Sequence, residues 1–281
     1  MNNHTKPTLV IGGTGKTGRR VAERLERRGI PTRIGSRSAD PPFDWDDRDT
    51  WAPALEGARA AYISYYPDIA MPGAVEAVTA LAATALEQDV RRLVLLSGRG
   101  EEEAQRAERA VRDSGADWTI VRCGWFSQNF SEGSFADSVT AGELVLPRAS
   151  VPEPFVDVED IADVAALALA EDGHVGQVYE LTGPRLLTFE EAVGEVAAAT
   201  GREIRYVPVS IDEFAAGAAE QGIPEDIVEF LAYLFGEVLD GRNANLTDGV
   251  QRALGREPRD FSEFAREAAA SGVWDGAREA A

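Results

Sequence analysis

The sequence TLVIGGTGKTG, residues 8–18, decides the fold of this 281-residue chain. Its apolar first part, Thr8 to Ile11, predicts a buried strand that runs directly into a glycine-rich turn. Val21, Ala22 and Leu25 then recur at helical spacing with charged residues between them, which predicts a helix. A strand, a glycine turn and a helix therefore follow one another without a linker.

The glycines of this turn have the spacing G-x-x-G-x-x-G, at Gly12, Gly15 and Gly18. Glycine permits a tight turn and lets the backbone approach a pyrophosphate, whose charge then faces the N–H groups of the helix N-terminus. A P-loop would need Gly-Lys-Ser/Thr after four intervening residues, and Lys16 does not stand there. The turn thus predicts a dinucleotide site, with a purely structural turn as the alternative. The residues expected to contact the dinucleotide here are Gly12, Thr14, Gly15, Lys16, Thr17 and Gly18.

Strand and helix patterns alternate along the next hundred residues. Strands are predicted over Thr32–Ser36, Ala60–Tyr65, Arg92–Ser97 and Trp118–Val121. Helices are predicted from Trp51 to Leu55 with Thr50 as the cap, from Val75 to Leu86, and from Glu101 to Asp113. Since parallel strands need crossover connections, this alternation predicts an α/β fold with a Rossmann-like, doubly wound parallel sheet.

The end of the second strand distinguishes the two nicotinamide dinucleotides. An acid there binds the ribose 2′-OH of NAD, whereas an arginine accommodates the 2′-phosphate of NADP. The sequence has Ser36-Arg37 at this point, so we predict NADP(H), with a solvated surface arginine as the alternative. Asp44 and Trp45 follow where an acid could meet the adenine amino group, although a plain loop acid fits nearly as well.

The second half of the chain is richer in helix. Thr188 with Glu191 and Ser210 with Glu213 predict capping boxes. Pro224 opens a helix whose apolar face is too wide for solvent, so it packs on the sheet, covers a substrate pocket, or meets a partner subunit in a homodimer. We expect residues 1–150 to form the NADP-binding Rossmann domain. Residues 151–281 would complete the sheet and form a smaller, mostly helical substrate lobe, with a soft, interdigitated boundary.

Composition excludes several classes of protein. A net charge of −20 and a pI near 4.5 repel phosphate backbones and acidic membranes, so direct nucleic-acid binding is not expected. Cys123 with His4 and His174 provides too few ligands for a zinc site, and no metal is predicted. The start of the chain lacks a charged leader followed by an apolar stretch, which predicts a cytoplasmic protein without a membrane span.

An ordered series of motifs connects this chain to a known group. The motifs are Gly12 to Gly18, Phe43-Asp44-Trp45, Asp49-Thr50-Trp51, Arg92 to Ser97, Thr119 to Phe126 with Asn129-Phe130, Pro154 to Asp157 with Asp160 to Ala162, Gly183-Pro184 with Leu187-Thr188, and Phe261 to Phe264. From about residue 8 to about residue 266 the chain resembles the NmrA-like atypical short-chain dehydrogenase family, and within it the agroclavine dehydrogenase and festuclavine synthase type.

This resemblance implies where the reacting groups lie. The residues that would edge the nicotinamide pocket are Ser64, Tyr65, Tyr66, Ser97 and Gly98. Of these, Tyr65, Tyr66 and Ser97 are the candidate catalytic residues. A small-molecule substrate would lie against Trp125, Phe126, Asn129 and Phe130, for which core packing is an equally good interpretation.

The usual acid of short-chain dehydrogenases is absent from the sequence. These enzymes use Tyr-x-x-x-Lys, in which the lysine lowers the pKa of the phenol. The only lysines here are Lys6 and Lys16, and the helix from Glu101 contains neither a tyrosine nor a lysine. We interpret Glu108 as a solvated face residue, and Glu101 to Glu103 as a favourable charge cluster at a helix N-terminus.

Three functions fit this pattern. The first is an NADPH-dependent reductase that transfers hydride to an iminium, which needs no proton at that moment, or to an enone or quinone with Tyr65 or Tyr66 as hydrogen-bond donor. The resemblance also allows an NADP-binding, redox-sensing regulator that acts through a protein partner without turnover. The third is a redox-neutral isomerase or cyclase that retains the cofactor.

Overall fold

The computed structural model describes residues 6–133, 135–148 and 150–275. The strands are Thr8–Ile11 (β1), Thr32–Gly35 (β2), Ala60–Ile63 (β3), Arg92–Gly98 (β4), Asp117–Cys123 (β5), Glu143–Leu146 (β6), Gln177–Leu181 (β7) and Arg205–Pro208 (β8). The helices are Lys16–Arg27 (α1), Trp51–Leu55 (α2), Ala74–Glu87 (α3), Glu102–Asp113 (α4), Asn129–Glu132 (α5), Ala136–Ala141 (α6), Val158–Ala170 (α7), Phe189–Thr200 (α8), Ile211–Glu220 (α9), Glu225–Tyr233 (α10), Gly249–Leu254 (α11) and Phe261–Ala270 (α12).

A six-stranded parallel sheet organises the first part of the molecule. Its strand order is β2-β1-β3-β4-β5-β7, so β1 pairs with β2 on one side and with β3 on the other. The chain thus reverses its direction of travel across the sheet between β2 and β3. In open α/β sheets, ligands bind beyond the carboxyl ends of the strands at such a switch point. The predicted α/β fold with a Rossmann-like parallel sheet is confirmed.

The residues divide into two compact units. The first takes the chain up to Cys123 together with Val158–Leu181 and Asp248–Arg256. It holds the whole six-stranded sheet, because α7, β7 and α11 return to it late in the sequence. Its core joins apolar residues of the strands to α2, α3 and α4. The division at residue 150 stays a prediction.

The second unit comprises Gly124–Asp157, Thr182–Thr247 and the chain from Glu257 onward. Short helices surround the two-stranded parallel pair of β6 and β8. An aromatic core stabilises this unit, and its fully or almost fully buried rings include Phe130, Phe135, Phe155, Phe189, Phe235, Phe261, Phe264 and Trp274. Phe130 lies 5.3 to 6.3 Å, between ring centroids, from four of these rings. The indole Nε1 of Trp274 donates to the Phe130 carbonyl at 2.7 Å.

The sequence predicts side-chain caps at Thr188, Ser210 and Thr50, and the structure shows them at the first two. Thr188 and Ser210 both form the expected capping boxes. Thr50 occupies the N-cap position of α2, as predicted, but among the described residues its side chain forms no capping hydrogen bond, because its hydroxyl donates to the Asp47 carbonyl of the preceding 3-10 turn at 2.6 Å. The Asp47 carboxylate caps that 3-10 turn, Arg48–Thr50, by accepting from the Asp49 N–H at 3.1 Å.

The helix that Pro224 precedes is α10, which continues into a π-helical segment, Leu234–Val238. Phe235 and Val238 are buried in the second unit. The other apolar residues of this face are half-buried, namely Ile227, Phe230, Leu231 and Leu234. None of the helices within the described residues has both the length and the apolarity needed to cross a membrane. His4, one of the two histidines considered as zinc ligands, lies outside the described residues.

Replacement of Phe130 tests the aromatic core. Because its ring is fully buried among other rings, Phe130→Ala is expected to cost about 3 to 5 kcal/mol of unfolding free energy. Leu246→Ala is the matched control, since Leu246 is 49% exposed and its truncation is expected to stay within about 0.5 kcal/mol. Urea unfolding measures both differences, and a Phe130→Ala protein as stable as the control would contradict this packing.

Candidate functional site

The glycine turn is held between the ends of two strands. The Gly12 N–H donates to the Gly35 carbonyl at the end of β2, at 3.0 Å. Gly12 has a φ of +72°, which favours glycine, and a Cβ placed on it would lie 3.3 Å from the Cβ of Ser64, just after β3. The Gly15 N–H closes the turn on the Gly12 carbonyl at 2.9 Å. These contacts fix the turn at the switch point of the sheet.

Two further glycines are required by close packing. A Cβ on Gly18 would lie 2.2 Å from the Gly12 carbonyl oxygen, a distance that only a glycine avoids. A Cβ on Gly13 would lie 2.8 Å from the Val10 carbonyl oxygen and 2.9 Å from the Ile34 side chain. The first turn of α1 can therefore pack on the glycine turn only because Gly18 lacks a side chain, and the turn can pack on β1 and β2 only because Gly13 lacks one.

The N-terminus of α1 has the properties of an anion site. No side chain caps it and no acidic residue lies in its first turn, within the part of the chain that is described. Thr14 and Gly15 are exposed in front of it, Lys16 is half-buried, and Thr17 is buried. Backbone N–H groups and the helix dipole favour a negative group at this position. The turn fits the pyrophosphate of a dinucleotide.

The end of β2 presents the predicted basic residue. Arg37 is exposed, and it forms no ion pair among residues 6–133, 135–148 and 150–275. The Ser36 hydroxyl lies 3.3 Å from the Ser38 hydroxyl. The Gly35 carbonyl accepts from the Gly12 N–H of the glycine turn, and Arg37 follows Gly35 by two residues in the sequence. A guanidinium in this place can bind a phosphate without first breaking a salt bridge.

An aromatic cluster joins the next predicted residues to the same edge. The Trp45 Nε1 donates to the Ser64 carbonyl at 3.3 Å, and its ring centroid lies 4.8 Å from that of Tyr65. The Asp44 carbonyl accepts from the Trp51 Nε1 at 2.7 Å, while the Asp44 carboxylate accepts from the Asp46 N–H at 3.2 Å. The structure thus brings Trp45, Ser64 and Tyr65 together, and it gives the Asp44 carboxylate a turn-forming contact.

The two candidate tyrosines have different environments. Tyr65 is half-buried, and burial together with the charges of Asp46 and Glu76 raises the pKa of its phenol. It therefore stays protonated and can donate a hydrogen bond, but it is a poorer acid than a free tyrosine. Tyr66 is 71% exposed.

Ser97 belongs to a buried polar network. Its hydroxyl donates to Glu108 Oε1 at 2.7 Å, and Arg122 binds both oxygens of the same carboxylate. Arg122 also pairs with Glu180 at 3.1 Å, and Arg99 pairs with Glu180 at 2.7 Å. The interpretation of Glu108 as a solvated face residue is wrong, because it is 2% exposed and neutralised by Arg122. The Ser97 hydroxyl is engaged in holding this network.

The sequence reasoning missed an acid beside Gly98. A Cβ on Gly98 would lie 2.6 Å from Glu101 Oε1 and 2.7 Å from Oε2, so the carboxyl of Glu101 covers this glycine at the end of β4. Glu101 is buried, whereas the next residue, Glu102, is exposed. The sequence does not distinguish the buried Glu101 from its neighbours, because acidic residues at a helix N-terminus are an equally good interpretation for all of Glu101 to Glu103. The spacing from Gly98 to Glu101 is the only local signal.

The predicted substrate residues all lie in the second unit. Trp125 is half-buried, with its ring centroid 5.1 Å from that of Phe235. The Trp125 carbonyl accepts from the Val156 N–H at 3.0 Å. Phe126 and Asn129 are also half-buried. Phe130 is fully buried, so for this residue the core-packing interpretation is correct.

Comparison with known proteins gives the family. A family model described as NAD(P)H-binding matches residues 12–172, more than half of the chain. The uncharacterized oxidoreductase YesF of Bacillus subtilis is 32% identical over 280 residues, covering 95% of this chain and 96% of its own. The chain belongs to the NAD(P)H-binding family. Agroclavine dehydrogenase of Claviceps fusiformis, a member of the type that the motifs resemble, is 30% identical, covering 91% of this chain and 95% of its own.

Solved structures show the same fold. The NADPH-dependent quinone oxidoreductase of Escherichia coli in complex with NADPH superposes with a TM-score of 0.78 at 21% identity, covering 92% of this chain and 99% of that one. Membership of the NAD(P)H-binding family confirms the predicted resemblance and the class of cofactor, and with its relatives the chain is an NAD(P)-dependent oxidoreductase. The glycine turn fits that cofactor as a cradle, because among the described residues the N-terminus of α1 has no side-chain cap and no acid in its first turn, which leaves backbone N–H groups for a pyrophosphate.

Substitution of Gly18 tests the cradle. Gly18→Ala forces the turn away from α1, so we expect the affinities for NADPH and NADH to fall alike, by about tenfold or more. The matched control is Gly194→Ala in α8, where nothing lies within 4 Å and a helical alanine is expected to stabilise the chain by about 0.5 to 1 kcal/mol. Nucleotide titration by fluorescence measures both affinities. Unchanged binding of both nucleotides by Gly18→Ala would contradict this placement.

Proposed function

We propose that this protein is an NADPH-dependent reductase that transfers a hydride to a small organic acceptor, either an iminium or a conjugated C=C or quinone. The observation that carries the proposal is the pairing of two cationic features at one sheet edge. The uncapped N-terminus of α1 can accept a pyrophosphate, and the exposed Arg37 stands just after β2, whose last residue, Gly35, accepts at its carbonyl from the Gly12 N–H.

Arg37 supports NADP(H) over NAD(H). The two cofactors differ only in the phosphate on the adenosine ribose, and the residues after β2 are where that ribose binds in this type of sheet. NAD(H) binding would favour an acid at this point, but the sequence has Ser36-Arg37-Ser38. The guanidinium and the neighbouring hydroxyls can all donate to phosphate oxygens.

We also propose roles for the other cofactor residues. We propose the glycine turn with Thr14, Lys16 and Thr17 for the pyrophosphate, and Trp45 with Ser64 and Gly98 along the nucleotide. Asp44 remains a candidate for the adenine amino group. For the substrate we propose Trp125, Phe126 and Asn129, which are half-buried aromatic and amide side chains of the second unit.

The proposed classes of hydride acceptor depend on which proton donors the chain has. When bound, NADPH supplies the hydride. An iminium carries its positive charge beforehand and needs no acid, which suits a chain without Tyr-x-x-x-Lys. An enone or quinone needs a hydrogen-bond donor or acid, and the protonated Tyr65 can serve as a donor. Relatives support both classes, since agroclavine dehydrogenase is among them and a quinone oxidoreductase shares the fold.

Reversal of the charge at Arg37 tests the choice of cofactor. Arg37→Glu is expected to weaken NADPH relative to NADH by about 2 kcal/mol, a factor of about 30, because a phosphate would then face a carboxylate. Arg109→Glu makes the same charge change at an exposed site on α4 and is expected to leave the NADPH to NADH ratio unchanged. Equal losses for both nucleotides in Arg37→Glu would remove the assignment.

Isotope transfer tests the reaction class. We expect one of 4R- and 4S-deuterated NADPH to pass deuterium to a product when iminium, enone and quinone acceptors are supplied. Tight nucleotide binding with no turnover of any acceptor would support a redox-sensing regulator instead. Product formation without net oxidation of NADPH would support an isomerase or cyclase.

A further inference from the structure

The carboxyl of Glu101 is buried without the partners that a buried carboxylate needs. Glu101 is 9% exposed, and its Oε2 has no hydrogen-bond partner among the residues described. The neighbouring Glu108 shows the opposite situation, since Ser97 and Arg122 supply both of its oxygens. A buried charge without compensation is costly, so an unpartnered carboxyl avoids that cost by keeping its proton.

A second carboxyl reinforces this state. Asp68 follows β3 and is half-buried, with its Oδ1 accepting from the Ala70 N–H at 2.9 Å. Burial and the charge of Asp68 raise the pKa of Glu101 well above its usual range, and burial also raises the pKa of Asp68. Two neighbouring carboxyls in one site do not readily ionise together. Glu101 is therefore expected to keep its proton to a higher pH than an exposed glutamate does.

The nearby cations are engaged elsewhere. Arg99, two residues before Glu101, pairs with Glu180 at 2.7 Å. Arg122 of β5 holds Glu108, and Arg106 of α4 pairs with Glu103 at 2.7 Å. On α3, which packs against α4, the titratable residues are the acids Glu76 and Glu87. Among the residues described, no cation neutralises Glu101.

Glu101 lies at the edge of the sheet formed by the carboxyl ends of its strands. Its carboxyl covers Gly98, the last residue of β4, and β4 pairs with β3. The end of β3 in turn meets the glycine turn, where Gly12 lies against Ser64. The carboxyl ends of adjacent parallel strands form one edge, so Glu101 and Asp68 share that edge with the dinucleotide site. An acid able to donate a proton thus lies in the first unit beside the cofactor cradle.

We propose that Glu101, whose buried and unpartnered carboxyl covers Gly98 at the end of β4, is the proton donor of the reduction. The inference rests on the proposed function and narrows its substrate to the neutral class. Enones and quinones need a proton after accepting a hydride, whereas an iminium would make a buried acid unnecessary. In each turnover the acceptor gains a hydride at one atom and the Glu101 proton at another. The acceptor is reduced by two electrons, NADPH is oxidised to NADP⁺, and the Glu101 carboxylate recovers a proton from water.

The pH dependence has a definite sign. Glu101 can donate only while protonated, so turnover of a quinone is expected to be constant at low pH and to fall as the pH rises through the raised pKa of this carboxyl. An acceptor that needs no proton should not show this fall. A purely structural Glu101 would change stability with pH without producing this difference between acceptors.

Turnover by Glu101→Gln tests the donor role. With a quinone we expect kcat to fall at least about 100-fold and the fall with rising pH to disappear, because the amide cannot donate an acidic proton. With an iminium we expect a change of less than about threefold, and NADPH affinity should stay within about twofold. Glu102→Gln makes the same change one residue away on an exposed side chain, and it should match the wild type throughout. Glu101→Asp, which keeps an acid, should recover part of the quinone activity.

A measurement without turnover tests the protonation itself. A raised native pKa gives stability that is fully present below the usual glutamate value of 4.5 and is lost as the pH rises through the raised value. Urea unfolding should therefore show the wild type losing stability relative to Glu101→Gln over that range, while Glu102→Gln follows the wild type. A constant difference between wild type and Glu101→Gln from pH 4 to 8 would overturn the proposal.

The outcomes separate the two proposals. Equal losses on quinone and iminium, or full quinone activity in Glu101→Gln, would refute the donor role while leaving the reductase intact. If the wild type binds NADPH but reduces no acceptor, the reductase proposal fails and the donor role fails with it. The stability comparison would then still show whether Glu101 carries a proton. If Glu101→Gln does not fold, Glu101→Asp and the pH profile of the wild type decide the question.

Discussion

The approach of α1 to the glycine turn is the contact on which the rest of the structure depends. The backbone at Gly18 lies so close to the Gly12 carbonyl that a Cβ would come within 2.2 Å of its oxygen. This approach aims the N-terminus of α1 along the edge where β1, β2 and β3 end. An anion site there needs no basic side chain, because backbone N–H groups supply the charge complement. It is therefore compatible with a chain of net charge −20.

Two buried carboxyls of the first unit have opposite environments: Glu101, at the residue before α4, and Glu108, within α4. Glu108 is hydrogen-bonded by Ser97 and neutralised by Arg122, so it is part of a satisfied network that fixes α4 to β4 and β5. Glu101 has an acid instead of a base nearby, and burial raises its pKa. A satisfied carboxylate stabilises structure, while an unsatisfied one is available for chemistry. This contrast is the physical basis for assigning the two residues different roles.

Aromatic packing stabilises the second unit. Some aromatic residues of the predicted substrate motif therefore belong to its core. Trp125, Phe126 and Phe130 lie within six residues of one another in the sequence, but Phe130 is enclosed by four rings while Trp125 keeps part of its surface. Sequence spacing alone could not separate the two, because both interpretations predict large apolar side chains. The same limit explains Glu108, whose charge suggested solvent until the facing Arg122 was known.

The sequence by itself determined the fold class, the glycine turn, the capping boxes at Thr188 and Ser210, and the nicotinamide cofactor class. Each of these features depends on residues that are adjacent or regularly spaced in the sequence, so a short stretch of sequence is enough to predict it. Only the tertiary structure decided which of the glutamates from Glu101 to Glu108 are buried and which partner each one has. Those properties depend on side chains that are distant in the sequence, such as Arg122, 14 residues from Glu108, and Glu180, 81 residues from Arg99, and no local pattern encodes such pairs.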